Sequence, residues 1–495
     1  MLRKTKIILA VLFFIAVTML FLDFTGTFHL WLGWTAKIQF LPAVLALNAG
    51  VVALLAVLTL LFGRIYCSVI CPLGVFQDIV SWLHSRGRKG RNRFYYSKET
   101  AWLRYGMLGV FIICLAGGVG SVAALLAPYS SYGRMAANLF APVYRWGNNV
   151  LAYFAERMDS YAFYETEVWI KSLPTFIIAV ATFIIISVLA WRGGRTYCNT
   201  VCPVGTVLGL LSRFSLFRPV IDTGKCKDCN LCARRCKASC IDIKNHGIDY
   251  SRCVACMDCI DNCKHGALRL RLRPFPGSQE STEHPANPSR RLFLSSMAMA
   301  ATSAAVKAQE KKVDGGLAVI EDKQPPVRRT PIVPPGAADA RHFAQHCTAC
   351  QLCVSACPNG VLRPSTDIMR LMQPEMSYER GYCRPECTRC SKVCPTGAIL
   401  PLTRAEKSST RIGHAVWIRK NCVPLTDGVE CGNCARHCPS GAIQMVPSDP
   451  DDDMSVKIPA VNTERCIGCG ACENLCPARP FSAIYVEGNE RHSEM

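Results

Sequence analysis

The sequence contains no C-x-x-C-H, which excludes covalently attached haem. It also lacks a glycine-rich nucleotide motif in strand–helix context, so neither a flavin nor a nicotinamide is indicated. Acidic residues are scarce, 36 against 56 lysines and arginines, and the net charge is +20. A surplus of that size can serve nucleic acid. Here the basic residues gather in short segments beside apolar runs, which is the pattern of membrane topology, and nucleic acid is set aside as a partner. Charge is missing altogether from Phe40–Phe62, Tyr105–Ala127 and Leu173–Trp191.

Half the residues are hydrophobic, and mean hydropathy is +0.18. With the apolar run Ile7–Leu22 the uncharged segments make four candidate spans, each near or above the ~20 residues that cross a bilayer core of about 30 Å. Asp23–Phe24 and His29–Trp34 follow the first run where a signal peptide would carry small residues, so it is read as a retained anchor. Orientation follows from Arg3, Lys4 and Lys6, and from Arg86, Arg88, Lys89, Arg91, Arg93, Lys98 and Arg104 between the second and third runs. The segment 128–172 is balanced in charge. The positive-inside bias predicts a cytoplasmic N-terminus, a cytoplasmic 63–104 loop and a cytoplasmic chain after Trp191. Residues 23–39 and 128–172 are then expected outside.

Thirty cysteines in a chain this long do not suit a small disulfide scaffold. Twenty-four form six quartets, most spaced C-x2-C-x2-C-x3-C, a ferredoxin spacing and not a zinc-finger one. Cys226, Cys229, Cys232 and Cys236 are followed by Cys253, Cys256, Cys259 and Cys263. In a two-cluster ferredoxin the fourth cysteine of each run ligates the other cluster. One [4Fe–4S] cluster is therefore expected on Cys226, Cys229, Cys232 and Cys263, and another on Cys253, Cys256, Cys259 and Cys236.

Later in the chain come Cys347, Cys350, Cys353, Cys357; Cys383, Cys387, Cys390, Cys394; Cys422, Cys431, Cys434, Cys438; and Cys466, Cys469, Cys472, Cys476. Two of these are stretched at the first gap, and all end in C-x3-C-Pro. They predict four more clusters, six in all. Cys240 stands where Ala267, Ala398 and Ala442 follow the other quartets and is read as a small packing residue, since free cysteine packs as a small hydrophobe. Cys114, alone in mid-span, is read the same way.

An internal repeat closes the second and fourth runs. Arg64-Ile-Tyr-Cys67-Ser-Val-Ile-Cys71-Pro72-Leu-Gly74 matches Arg195-Thr-Tyr-Cys198-Asn-Thr-Val-Cys202-Pro203-Val-Gly205. A C-x3-C pair on a helix puts both sulfurs on one face, one turn apart. Two such pairs can meet at a further redox or metal site on Cys67, Cys71, Cys198 and Cys202; inert packing thiols are the alternative. Residues 274–340 read as a proline-rich, polar linker. Within it Ser289-Arg290-Arg291-Leu292-Phe293-Leu294 opens a weakly apolar stretch, 289–308, similar to a twin-arginine export signal. Leu292–Val306 is a candidate fifth span.

On these motifs residues 1–272 resemble the NapH-type membrane quinol dehydrogenase component associated with periplasmic nitrate reductase, a C-x3-C-P polyferredoxin. Residues 289–495 resemble the NapG/MauM-type four-cluster ferredoxin. The expected chain is multidomain: an α-helical membrane domain (1–215), an α+β two-cluster ferredoxin domain (216–273), the linker (274–340) and an α+β four-cluster domain (341–495). The resemblance implies a multi-pass protein of the bacterial inner membrane, with the first ferredoxin domain cytoplasmic and the last periplasmic. It implies quinol as substrate, the quinol pool and membrane lipid as surroundings, and a periplasmic redox protein as partner. Electron supply for assembly or maturation of a periplasmic metalloenzyme is the alternative. By the same resemblance the first C-terminal quartet shares ligands with the fourth, and the second with the third. His29, Lys37 and Gln39, near the outer ends of the first two runs, are candidates for the quinol site; anchoring at the membrane interface beside Trp31 and Trp34 is the alternative.

Overall fold

The structure is a computed structural model and describes residues 2–86, 94–160, 162–272, 313–314, 318–319, 321–452 and 454–495. The 289–308 segment with its arginine pair, and the candidate fifth span, lie outside the described residues.

The N-terminal apolar run forms one helix, Leu2–Leu22, of 21 residues, about 30 Å long at 1.5 Å per residue. It stops at Asp23, whose carboxylate accepts the backbone N–H groups of Thr25, Gly26 and His29 at 3.0, 2.7 and 3.2 Å. Gly26 turns the chain at φ 89°, a conformation that costs a residue with a Cβ. The helix Leu173–Gly193 is likewise continuous, and these two are long and apolar enough to cross a membrane.

The other two expected spans are not single helices. Phe40–Phe62 divides into Phe40–Leu45 and Ala49–Phe62, because Leu47 has φ 53° and the Asn48 side chain caps the second piece through the N–H of Val51. Tyr105–Ala127 divides between Ala101–Ala116 and Gly120–Leu126 at Gly117-Gly118, where φ reaches 74°. Turn-forming residues inside an apolar run override its hydrophobicity.

Two cysteine-rich units dock on this bundle. In the first, Phe217–Ile221 pairs antiparallel with Leu268–Leu272 and encloses both quartets of that region. In the second, three antiparallel pairs recur: Leu362–Pro364 with Pro374–Met376, Thr410–Trp417 with Ile484–Glu494, and Ile443–Pro447 with Lys457–Val461. Both are α+β units of short hairpins and short helices.

The units sit at opposite ends of the Leu2–Leu22 helix. At its start Arg3 bridges Asp258 and Asp261 of the first unit, both at 2.8 Å. Beyond its end Arg389 of the second unit donates to the carbonyl of Phe24 at 3.5 Å. The second unit is further held by Asn138 Nδ2 on Gln351 Oε1 (2.8 Å) and by Lys171 Nζ on the carbonyl of Val354 (2.6 Å). Cys350 and Leu352 complete the apolar core of the bundle itself. The contact depends on a missing side chain: a Cβ at Gly133 would stand 2.5 Å from the Cys350 carbonyl oxygen and 2.8 Å from the Phe21 ring.

Gly133→Ala should therefore loosen this docking by about 1–3 kcal/mol of overpacking. After a protease cut in the linker, size-exclusion chromatography in detergent should show the second unit retained by the wild type and released by the variant. Equal retention would mean the junction yields without cost.

Candidate metal centre

Each quartet folds into a loop that leads into a helix of four or five residues carrying the third cysteine, as in Leu231–Arg234, Asp258–Asp261 and Leu352–Ala356. In four of the six, the residues on either side of the second cysteine are left-handed. They are Asp228 and Asn230, Ala255 and Met257, Ala349 and Gln351, and Gly468 and Gly470, with φ between 48° and 79°. Six of these eight carry a Cβ, at a cost of about 1–2 kcal/mol each. The turns wrap backbone around one centre. The stretched quartets escape them, with φ −114° at Thr388 and −157° at Gly432.

The cysteines gather in sets that exchange a member between neighbouring quartets. Cys226, Cys229, Cys232 and Cys263 line one cavity, and Cys236, Cys253, Cys256 and Cys259 another, the sets expected from the spacing. In the second unit Cys422, Cys431, Cys434 and Cys476 line a third cavity. Cys438 lies beside Cys466 and Cys469. Cys394 stands close to Cys347, Cys350 and Cys353, while Cys357 stands close to Cys383 and Cys390.

The implied pairing of first with fourth and second with third quartet is thus corrected to first with second and third with fourth. Hairpins account for it: 362–364 with 374–376 folds the second quartet back on the first, and 443–447 with 457–461 folds the fourth on the third. The two pairs meet where the Cys383 N–H donates to the carbonyl of Cys469 at 2.9 Å.

The sets are too wide for a single zinc ion, whose sulfurs at about 2.3 Å would lie within about 4 Å of one another. Among the described residues, the one trio of ligand atoms within 4.8 Å is Cys226, Asp228 and His246, with a single quartet member. The donor chemistry and spread fit [4Fe–4S] clusters.

The C-x3-C-P pairs converge. Cys67 and Cys198 lie on the short helices Ile65–Val69 and Thr196–Thr200; Cys71 and Cys202 follow just past their ends. All four are buried. The two motifs clasp each other reciprocally: Arg64 Nη2 donates to the carbonyl of Cys198 at 3.0 Å, and Arg195 Nη1 to that of Cys67 at 2.6 Å. Gly74 and Gly205 give these guanidiniums room, since a Cβ at either would collide with one. Gln77 Nε2 and the Gly205 N–H point at the sulfurs of Cys198 and Cys202, at 3.4 and 3.3 Å.

Charge is the unusual feature. Arg64 and Arg195 are wholly buried. Arg195 pairs with Asp78 at 2.7 Å, but among the described residues no carboxylate lies within ion-pair distance of Arg64, and its Nε has no partner. A buried cation without an anion costs about 3–5 kcal/mol. Thiolates on a cluster would supply the anion. Gln77 and Asp78 escaped the sequence reading, although the repeats differ there: their counterparts are Leu208 and Gly209, and Gly209 makes room for Arg104 instead.

The three quinol candidates are not brought together. His29 is held by Asp23 through Nδ1 at 2.9 Å, Lys37 is exposed, and Gln39 is buried with its amide satisfied by Thr35, Ile70 and Tyr66. Cys240, by contrast, does lie in a candidate cluster wall, with its Sγ 3.5 Å from that of Cys236. Hydrogen bonding from its thiol draws Cys236 down to about 7 against the cost of burial.

Hydrogen bonds to cluster sulfurs help set reduction potential. Cys240→Ala should leave iron content unchanged and lower the potential of one cluster, read by EPR-monitored redox titration. Loss of iron comparable to that of Cys229→Ala would make Cys240 a ligand.

A 4Fe-4S binding domain family model matches residues 44–91 and 173–221, one C-x3-C-P motif in each. A 4Fe-4S dicluster model matches 346–398 and 429–479, the same quartet pairs that the hairpins join. A second dicluster model matches 249–361, bridging quartets that the structure pairs elsewhere. No solved structure matches the chain. The ferredoxin-type protein NapF of Escherichia coli is 31% identical over 161 residues, covering 32% of this chain and 87% of NapF. The methylamine utilization ferredoxin-type protein MauM of Paracoccus denitrificans is 33% identical over 168 residues, 32% of this chain and 73% of MauM. MauN of Methylobacillus flagellatus, 26% identical, aligns over 42% of this chain and 62% of its own length. An uncharacterized protein of Methanocaldococcus jannaschii is 42% identical over 73 residues, 14% of this chain and 28% of its own length. Since most of NapF and of MauM is covered at more than 30% identity, the chain belongs to the NapF/MauM-type ferredoxin family of iron–sulfur electron-transfer proteins.

Proposed function

We propose that the protein oxidises membrane quinol and passes the electrons through [4Fe–4S] clusters to a periplasmic reductase, as in a nitrate-reductase-like system. One observation carries this reading. Two cysteine-rich units occupy opposite ends of a helix about 30 Å long, and four buried cysteines converge between them.

The bundle surface supports the membrane part. Ile8, Leu12, Leu54, Ile113 and Ile184, on four helices, are all more than half exposed, and apolar side chains left this open call for a cover. Four crossings are consistent with Ala49–Phe62 and Ala101–Ala116 completing their spans through the broken segments, which protein packing makes tolerable. The first cysteine-rich unit would then face the cytoplasm and the second the periplasm.

Clusters bound at the quartets and at the C-x3-C-P site would supply one-electron transfer and net negative charge. The chain's own residues link these places. Arg64 and Asn199 reach from the C-x3-C-P site to the carbonyls of Ser251 and Ala238, beside Cys253 and Cys236. On the other side Arg134 lies between Tyr197 and Cys350, and Tyr129 beside Cys350 and Cys394. In the second unit the order runs from the Cys350 set through the Cys383 and Cys469 sets to the half-buried Cys431 and Cys434, a suitable exit toward a partner. Similarity to methylamine utilization proteins supports a second reading, electron supply for assembly or maturation of a periplasmic metalloenzyme.

Anaerobically purified protein should hold about 28 iron atoms, from six quartet clusters and one at the C-x3-C-P site. Cys67→Ser with Cys198→Ser should reduce this to about 24 and abolish electron passage between the two units, followed by freeze-quench EPR. Iron near half that value, or stoichiometric zinc, is incompatible with the reading. Wild-type clusters that stay oxidised with quinol but accept electrons from another donor would select the second reading.

Export of the second unit would rest on Arg290 and Arg291, whose paired guanidiniums lysine does not reproduce. In spheroplasts, residues beyond 321 should be open to external protease in the wild type and protected in the Lys-Lys variant. Protection in both would leave the whole protein facing the cytoplasm.

A further inference from the structure

No sequence motif marks the contact between the bundle and the second unit, yet a partly open cavity of about 150 Å³ lies there. Such a cavity is the size that admits one benzene ring in a protein interior. Its walls are apolar, formed by Ala137, Ala141, Pro142, Val168, Ile170 and Phe176. Phe176 lies in the first turn of the Leu173–Gly193 helix, one of the two long enough to cross a membrane. Val143 and Trp146, the chain neighbours of the lining residues Pro142 and Arg145 on the Ala141–Glu156 helix, are each 68% exposed, so the same helix carries apolar surface.

The cavity also has a polar side, with Arg145, Lys171 and Ser355. Lys171 already donates one hydrogen bond, to Val354, and an ammonium has others to give. Arg145 Nε is buried and has no partner. Ser355 lies between Cys353 and Cys357, so the chamber abuts a quartet loop. Trp169, gripped between Arg363 and Arg380 at 4.7 Å each, lines both this chamber and a second, polar one of about 540 Å³. The second chamber holds Glu165, Glu167 and Cys357.

We propose that the smaller chamber is the quinol site. The ring lies against Ala141, Pro142 and Phe176, and its oxygens take hydrogen bonds from Arg145 and Lys171. The proposal rests on the quinol-oxidising reading above and gives that reading a place. Oxidation there breaks the two O–H bonds of the quinol and yields quinone. Its two electrons leave singly to oxidised clusters in the second unit, and its two protons leave through the chamber of Glu165 and Glu167 to water. A phospholipid phosphate would also attract the two cations, but it has no use for a ring-sized apolar chamber beside a redox loop.

The test uses the full-length protein in detergent, with Arg145→Gln, a cavity-filling Ala141→Trp and a control at an exposed position away from the chamber, Lys457→Ala. Binding of a redox-inactive hydroxyquinoline N-oxide is measured by calorimetry, beside quinol-driven and dithionite-driven cluster reduction. Both cavity variants should weaken analogue binding and raise the quinol KM at least tenfold, with iron content and dithionite reduction unchanged; Lys457→Ala should match the wild type. Quinol reduction of the wild type with undiminished analogue binding in both variants would overturn the pocket and leave the reading standing. Failure of quinol to reduce wild-type clusters would remove the reading and the pocket together. A co-purifying phospholipid lost from Arg145→Gln, with quinol kinetics unchanged, would make the chamber a lipid site and overturn the proposal.

Discussion

A guanidinium buried among apolar helices has to find negative charge, and that requirement organises the centre of this molecule. Arg64 and Arg134 are fully buried and, among the described residues, have no carboxylate in ion-pair distance; Arg195 shares Asp78 with Lys6 and Lys237. Uncompensated, such charges would strongly oppose folding. Thiolates on a cluster at Cys67, Cys71, Cys198 and Cys202 would answer the requirement for Arg64, and the reciprocal clasp places Arg64 on the Cys198 carbonyl and Arg195 on that of Cys67. Arg64 then reaches a loop of the first unit through its guanidinium, on the Ser251 carbonyl, and Arg195 through its backbone N–H, on that of Lys237, so charge compensation and domain docking are one arrangement.

The quartet loops follow a second rule, in which backbone strain is balanced by ligation. Left-handed residues beside the second cysteine cost energy that hydrophobic burial in so small a loop cannot offset. Metal-bound sites couple binding to folding in this way. The stretched quartets reach the same cysteine arrangement through longer chain and avoid the left-handed turns.

On the proposed reading, distance gives these centres their purpose. A cysteine-rich unit at each end of a 21-residue helix leaves a gap that no single quartet covers. A cluster at the intervening C-x3-C-P site would divide that gap into shorter steps, and the buried helix Pro128–Met135, on which Cys350 rests, lies between it and the second unit. Close approach at Gly133 is what brings the second unit so near.

Much of this was legible in the sequence, because ligand spacing is local. Six quartets, the exchange of Cys236 and Cys263, the repeated C-x3-C-P phrase and the position of the apolar runs all follow from residues near one another in the chain. Continuity of the spans was not, since Asn48 and Gly117-Gly118 act through turn geometry that hydropathy does not register. Nor was the pairing of the C-terminal quartets, which hairpins decide. Arg145, Lys171 and Ser355 are separated in the chain by as many as 210 residues and carry no shared motif. Only docking of the second unit makes them neighbours, because a cavity is a property of two packed surfaces and not of either sequence alone.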